Sequence, residues 1–190
     1  LKNVTELDVS NFDTSKVINM HQMFNEMNNV TKLDVSNFNT SNVTNMSYMF
    51  KNTYKVTELD VSNFNTSKVT DMQYMFRGMS DLKSLDLSSF NTSQVTNMDS
   101  MFSTTSDLIE LDLSSFNTSK VTNMAAMFYC MTSLKTLNIS SFDVSNVNVM
   151  YSVFAGSNAI EKIIVRDETV KAWIEEKLGN INVTVTISNN

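Results

Sequence analysis

The amino-acid sequence predicts an α/β solenoid, a stack of units each made of a strand, a loop and a short helix, and three observations carry that prediction. Leu7, Leu33, Leu59, Leu85, Leu111, Leu137 and Ile163 stand 26 residues apart without a slip, the signature of a repeat architecture. All 12 Phe occupy two positions of that register, and all 14 Met fall in the second half of a unit. Within each unit the hydrophobic pattern changes from alternation to one-face helical spacing.

The unit that opens at Val56 shows the elements in order. Leu59-Asp60-Val61-Ser62 alternates apolar and polar residues, which predicts a short strand with one buried face. Phe64 follows in a stretch rich in Asn, Thr and Ser, residues that hydrogen-bond to local backbone and favour turns and helix N-caps. Val69, Met72, Met75 and Phe76 then fall at i, i+3, i+6 and i+7, which predicts a short helix. One unit cannot bury its apolar face alone, so stacking is required. Strands paired in parallel at ~4.8 Å over the steps from Leu7 to Ile163 would give a sheet about 30 Å long. Met at the helix positions fills irregular gaps against Phe, so the Met stripe reads as core rather than as a binding groove.

Residues 1-166 thus form six repeats plus the strand of a seventh, and 167-190 read as a C-terminal cap. Asp167 can cap a helix over about 168-178, with Val170, Trp173, Ile174 and Leu178 on one face and Gly179 as its stop. A strand is expected over about 181-187, where Ile181, Val183, Val185 and Ile187 alternate with polar residues. Such atypical ends cover the last apolar turn of a solenoid. The chain opens in mid-unit without Met, so upstream residues and any targeting signal are expected to lie outside it.

Composition narrows the function classes. A net charge of −6 lacks the basic footprint of a nucleic-acid binder. No apolar run approaches the ~20 residues of a membrane span, so this segment is not expected to insert. Cys130 is the only cysteine, which leaves no disulfide framework and no thiolate metal site. Its register partners are Glu26, Asn52, Gly78, Thr104 and Gly156, which marks a tolerated substitution rather than a reactive thiol.

The text Leu33-Asp-Val-Ser-Asn-Phe-Asn-Thr-Ser-Asn-Val-Thr-Asn-Met-Ser-Tyr-Met-Phe50 recurs from Val4 to about Val165. Its Val-x-x-Leu-Asp-Val-Ser-x-Phe core resembles the constant part of a leucine-rich repeat, with Phe in place of the usual Asn. The unit is similar to the 26-residue repeat of bacterial surface proteins and mycoplasma-type surface lipoproteins, related to BspA-like repeats. The resemblance implies a right-handed leucine-rich-repeat-like solenoid with a parallel sheet on one face. It also implies a cell-surface or secreted bacterial protein, of a group associated with adhesion, and brings no catalytic residue with it.

Candidate chemistry lies in the register columns. Asp8, Asp34, Asp60, Asp86 and Asp112 form a carboxylate ladder that ends at Asn138, with Ser10, Ser36, Ser62, Ser88 and Ser114 two residues on. It reads either as a calcium-binding oxygen ladder or as acceptors for local backbone, and the lack of Gly-rich turns favours the second. His21 has no Cys or second His in register and reads as an exposed helix residue. A Ser-His-Asp triad is available on paper only because Ser and Asp are abundant. The columns that vary are more informative: Glu6, Lys32, Glu58 and Glu110 precede the central Leu, and Tyr48 and Tyr74 match in adjacent units. Tyr54, Tyr129 and Tyr151 occupy other variable positions, and exposed Tyr is enriched at interfaces.

The sequence therefore predicts a non-enzymatic, monomeric binding module without a cofactor, whose partner is a protein or glycan, host extracellular molecules included. The alternative is a stalk that presents another domain and binds nothing, which the near identity of the units favours. The Tyr and charge variation favours the binder.

Overall fold

The computed structural model describes residues 4–178 and 182–188. Units are counted from Val4, Val30, Val56, Leu82, Leu108 and Leu134, with the start of a seventh at Ile160. The strands are β1 (Glu110–Asp112), β2 (Thr136–Ile139), β3 (Lys162–Val165) and β4 (Thr184–Ile187), and one helix, α1 (Glu168–Leu178), joins β3 to β4. They form a parallel sheet in the order β1-β2-β3-β4. Leu111 pairs with Leu137 and Leu137 with Ile163, so the 26-residue ladder of the sequence is the strand register itself. Ile163 pairs with Val185, where the repeat has ended and β4 takes over as the next rung.

Strand structure is expected in every unit, yet among the described residues units 1 to 4 supply only one isolated parallel bridge in the strand column, Glu6 to Lys32. The sheet is correspondingly shorter than the predicted stack.

The expected short helices are not formed; α1 is the only helix among the described residues. Val69, Met72, Met75 and Phe76 are fully buried, but consecutive tight turns place them inside. Met75 N–H donates to the Met72 carbonyl (3.2 Å), Arg77 to Tyr74 (3.2 Å) and Met79 to Phe76 (3.4 Å). The alternate donors leave the unit: Met72 N–H reaches the Asn97 carbonyl (3.1 Å), Tyr74 reaches Asp99 (2.8 Å), Phe76 reaches Met101 (3.0 Å) and Gly78 reaches Ser103 (2.9 Å). The cause is backbone handedness. Tyr74 and Gly78 have φ of +59° and +74°, which flips alternate peptides toward the next unit and is incompatible with a continuing α-helix. The same two positions are left-handed in all six units, from Gln22 and Glu26 to Ser152 and Gly156.

Two columns of inter-unit bonds therefore hold the chain. Besides the strand column, parallel bridges run through Asn19, Asn45, Asp71, Asn97, Asn123 and Val149. A third set of bonds comes from side chains: buried Thr40 donates its hydroxyl to the Asn65 carbonyl (3.1 Å) and accepts Asn65 N–H (2.7 Å). Thr14, Thr66, Thr92 and Thr118 do the same one unit apart.

The core lies between these columns. Phe24, Phe50, Phe76, Phe102, Phe128 and Phe154 form one continuous stack with centroid separations of 5.5–6.1 Å and interplanar angles of 1–11°, the offset geometry that aromatic pairs prefer. Phe38, Phe64, Phe90, Phe116 and Phe142 back it from the strand side and are buried. Leu7 and Leu85 of the strand ladder are only partly buried.

At the other end Asp167 accepts Val170 N–H (3.0 Å) and caps α1. Glu168 in its first turn and Lys177 in its last suit the helix dipole. Val170, Ile174 and Leu178 are buried, while Trp173 is half-buried and donates its indole N–H to Met150 Sδ at 3.0 Å. Gly179 and Ile181, assigned from sequence to the helix stop and the strand start, lie outside the described residues.

Candidate functional site

The carboxylate ladder is built by local turns. Asp8, Asp34, Asp60, Asp86 and Asp112 each accept, through Oδ1, the backbone N–H of the Ser two residues on, at 2.8–3.0 Å. This is the Asx turn that short acidic side chains favour. The Ser36 hydroxyl and then its N–H hold the Asp34 carboxyl below its ordinary value. At Asp60 the Ser62 N–H leads in the same direction, while neighbouring Asp34 and Asp86 push the other way. Burial pushes Asp112 up, but bonds from Ser114 and Asn138 more than offset it. No three His, Cys, Asp or Glu side chains among the described residues are grouped to hold a metal ion.

Shallow grooves run along this column. Two of them, of about 540 and 610 Å³, are lined by Lys32, Leu33, Asp34, Glu58 and Asp60, and by Lys83, Leu85, Asp86, Ile109, Glu110 and Asp112. Glu6 borders a smaller one with Asp8 and Lys32. The varied positions Glu6, Lys32, Glu58 and Glu110 are thus gathered with the Asp ladder on one acidic, Leu-floored surface.

The tyrosines of units 2 and 3 belong to a different surface, the turn column. Tyr48 and Tyr74 occupy the first left-handed position, with φ of +60° and +59°. Their rings stack at 4.6 Å with 15° between planes. His21 meets Tyr48 edge-on at 5.4 Å, and Lys51 and Arg77 each place their charge 5.3 Å from a ring centroid, over Tyr48 and Tyr74 respectively. Burial, and next the Tyr74 neighbour, push the Tyr48 phenol up, so it stays protonated and able to donate. His21 Nδ1 lies 2.7 Å from Ser47 Oγ, and that hydroxyl gives its one hydrogen to Asn45 Oδ1 at 2.6 Å. The bond to His21 then needs a proton on Nδ1. His21 sits on a turn, not on the helix predicted for it.

The remaining tyrosines do not join this stack. Tyr54 is exposed beside Gly78, where an added Cβ would come 3.4 Å from its Cε1. Tyr129 is exposed, and its hydrogen bond with Cys130 raises its phenol. Tyr151 is the most exposed, at 67%. Sequence reasoning misses Lys51 and Arg77 as members of the cluster. The available signal is their register: both stand three residues after a stacked Tyr.

These features define a repeat protein whose consecutive units pair in parallel, with an acidic strand column and a turn column that is aromatic and cationic in units 2 and 3. The chain belongs to the family described as Mycoplasma protein of unknown function, DUF285, whose model matches residues 1–105 and 52–166. No curated protein and no solved structure matches it. No helix among the described residues is long and apolar enough to cross a membrane.

Proposed function

We propose that this chain is a non-enzymatic adhesion module of a bacterial surface or secreted protein, a right-handed leucine-rich-repeat-like solenoid that acts as a monomer and binds host or matrix partners through its turn column. The observation that carries the reading is the Tyr48–Tyr74 stack with Lys51 and Arg77 over it. Two large aromatic residues sit in left-handed backbone, where a bulky side chain is uncommon and costs energy. Other units fill the same position with Ser100, Ala126 and Ser152, so the fold does not require an aromatic there. Tyr and Arg are the residue types that concentrate binding energy at interfaces. Membership of a Mycoplasma repeat family supports a bacterial setting.

The test is adhesion of beads carrying the chain to matrix-coated and host-cell surfaces. Beads carrying the Tyr48→Ala/Tyr74→Ala double variant should lose adhesion without a change in melting. If neither protein adheres, the stalk reading replaces this one.

A further inference from the structure

We infer that the solenoid is built of two-unit blocks and hinges at two places, the strand column opening and closing between units 2 and 3 and between units 4 and 5 about the turn column as a spine. The first argument is hydrogen bonding. At the entry to the strand segment Thr31 N–H donates to the Thr5 carbonyl (3.1 Å), Lys83 to Thr57 (3.1 Å), Lys135 to Ile109 (2.8 Å) and Glu161 to Lys135 (2.9 Å). Thr57 and Ile109 hold the same register position. Among the described residues, neither N–H meets a carbonyl of the unit before. The grooves follow the same alternation. At the bonded junctions, bordered by Glu6 and Lys32 and by Glu58 and Ser84, they measure about 290 and 280 Å³. At the two open junctions they measure about 540 and 610 Å³.

The second argument is the spine. Across the first open junction Phe50 N–H still reaches the Met75 carbonyl (2.9 Å), and across the second Phe102 reaches Met127 (3.1 Å). The Thr40 and Thr92 hydroxyls also bridge these junctions, to the Asn65 and Asn117 carbonyls. Bonds that are continuous on one side and interrupted at two steps on the other leave bending about the continuous side as the soft motion. The third argument is the core. Charge does not set the alternation, because Asp60 and Asp86 face each other across a bonded junction too. The last buried position of a unit is Met27, Met79 and Met131 in units 1, 3 and 5, but Thr53 and Thr105 in units 2 and 4. A bonded entry follows each Met and an open one follows each Thr. Ser157 ends unit 6 in the same way, but there β2 and β3 pair along their length.

Relaxation-dispersion NMR on the whole chain detects exchange on the μs–ms scale of hinge motion and tests this. The Thr57 and Ile109 amides should show dispersion, and those of Thr31, Lys83 and Lys135 should stay flat. Lys32 and Glu58 are register partners, as Glu6 and Lys32 are in the isolated bridge. Closure of the first hinge should bring their Cα atoms into the ~4.4–6.8 Å range of a disulfide. In Lys32→Cys/Glu58→Cys/Cys130→Ser, mild oxidation of the folded chain should therefore lock that hinge, removing dispersion at Thr57 and leaving it at Ile109. Flat profiles at both amides of the parent, or equal dispersion at every strand entry, overturn the proposal without the variant. A cysteine pair that oxidises only after unfolding, or dispersion at Thr57 that survives the disulfide, overturns it as well.

Discussion

Units 1 to 4 and units 5 to 7 carry nearly the same strand text, yet only the second set forms a hydrogen-bonded sheet. The difference follows the residue after the central Leu. Between units 2 and 3, 3 and 4, and 4 and 5, an Asp would lie directly beside an Asp and no strand pairing forms, and between units 1 and 2, where Asp8 would lie beside Asp34, only the isolated Glu6–Lys32 bridge closes. The pairs that close are Asp112 with Asn138, Asn138 with Ile164, and Ile164 with Thr186, none of which sets two carboxylates side by side. Like charges directly opposite one another destabilise a ladder, and the upward push of Asp34 and Asp86 on the Asp60 carboxyl, smaller than the pull of its Ser62 bonds, is the same repulsion. The apolar column is common to both regions, and the extent of strand pairing follows the polar column. The grooves at Lys32–Asp60 and Lys83–Asp112 occupy the places where joining fails.

If the shared core carries the stability of both regions, core damage should cost the same in each. Phe90 lies in the open region and Phe116 where the sheet begins, and both are buried. Phe90→Ala and Phe116→Ala should each destabilise by about 3–5 kcal/mol in denaturant titration. A variant at either site that melts like the parent would remove the core assignment. A large difference between the two would show that strand pairing, not the stack, sets local stability.

The turn column is likewise common to both regions and offers a smaller, matched perturbation. Gly78 and Gly156 stand at the second left-handed position with φ of +74° and +80°, and an added Cβ would fall 2.5 Å from Asn52 Oδ1 and from Cys130 Sγ respectively. Gly78→Ala and Gly156→Ala should each cost about 1 kcal/mol, mostly backbone strain. Thermal melts check this, and an unchanged midpoint for both would mean that the turns are not left-handed.

Much of this is legible in the sequence, and the limits are physical. The Leu ladder gives the strand register because side-chain columns must coincide when identical units stack. The spacing of Met72, Met75 and Phe76 suggests a helix because consecutive tight turns also return a side chain to the interior at intervals of three and four residues. Only the backbone sign separates the two, and the sequence marks it faintly, through Asn52, Gly78 and Gly156 in one column. An alternation goes unread as well: Met27, Thr53, Met79, Thr105, Met131 and Ser157 follow one another in register. Each hydroxyl of the set is bonded to a Phe carbonyl, at 2.5–2.8 Å, so alternate units place a small polar residue where their neighbours place Met. The Tyr48–Tyr74 pairing is visible as a shared register position, whereas the cations over the rings depend on side-chain direction across a turn that spacing alone does not give.

The smallest expected effect bears most directly on the contrast between the regions. Asp60→Asn keeps the Asx acceptor, as Asn138 shows with Ser140 N–H at 3.1 Å, and removes the charge between Asp34 and Asp86. Amide hydrogen exchange should then slow over residues 58–61 and 84–87 as those segments pair. Asn138→Asp should do the reverse and speed exchange in β1 and β2. Acid separates the two roles of the ladder. Asp8, Asp34, Asp60, Asp86 and Asp112 all have carboxyls held below their ordinary value when folded. Their ionised form therefore stabilises the fold above the unfolded value, near 3.9, and that contribution is lost as pH falls through the lower folded values. Protonation relieves the repulsion but weakens the Ser bonds, and the downward shifts mean that the bonds outweigh the repulsion. Asp60→Asn should accordingly unfold less readily than the parent as pH drops below about 4. Unchanged exchange in Asp60→Asn together with unchanged acid unfolding would mean that charge does not keep the first four units apart.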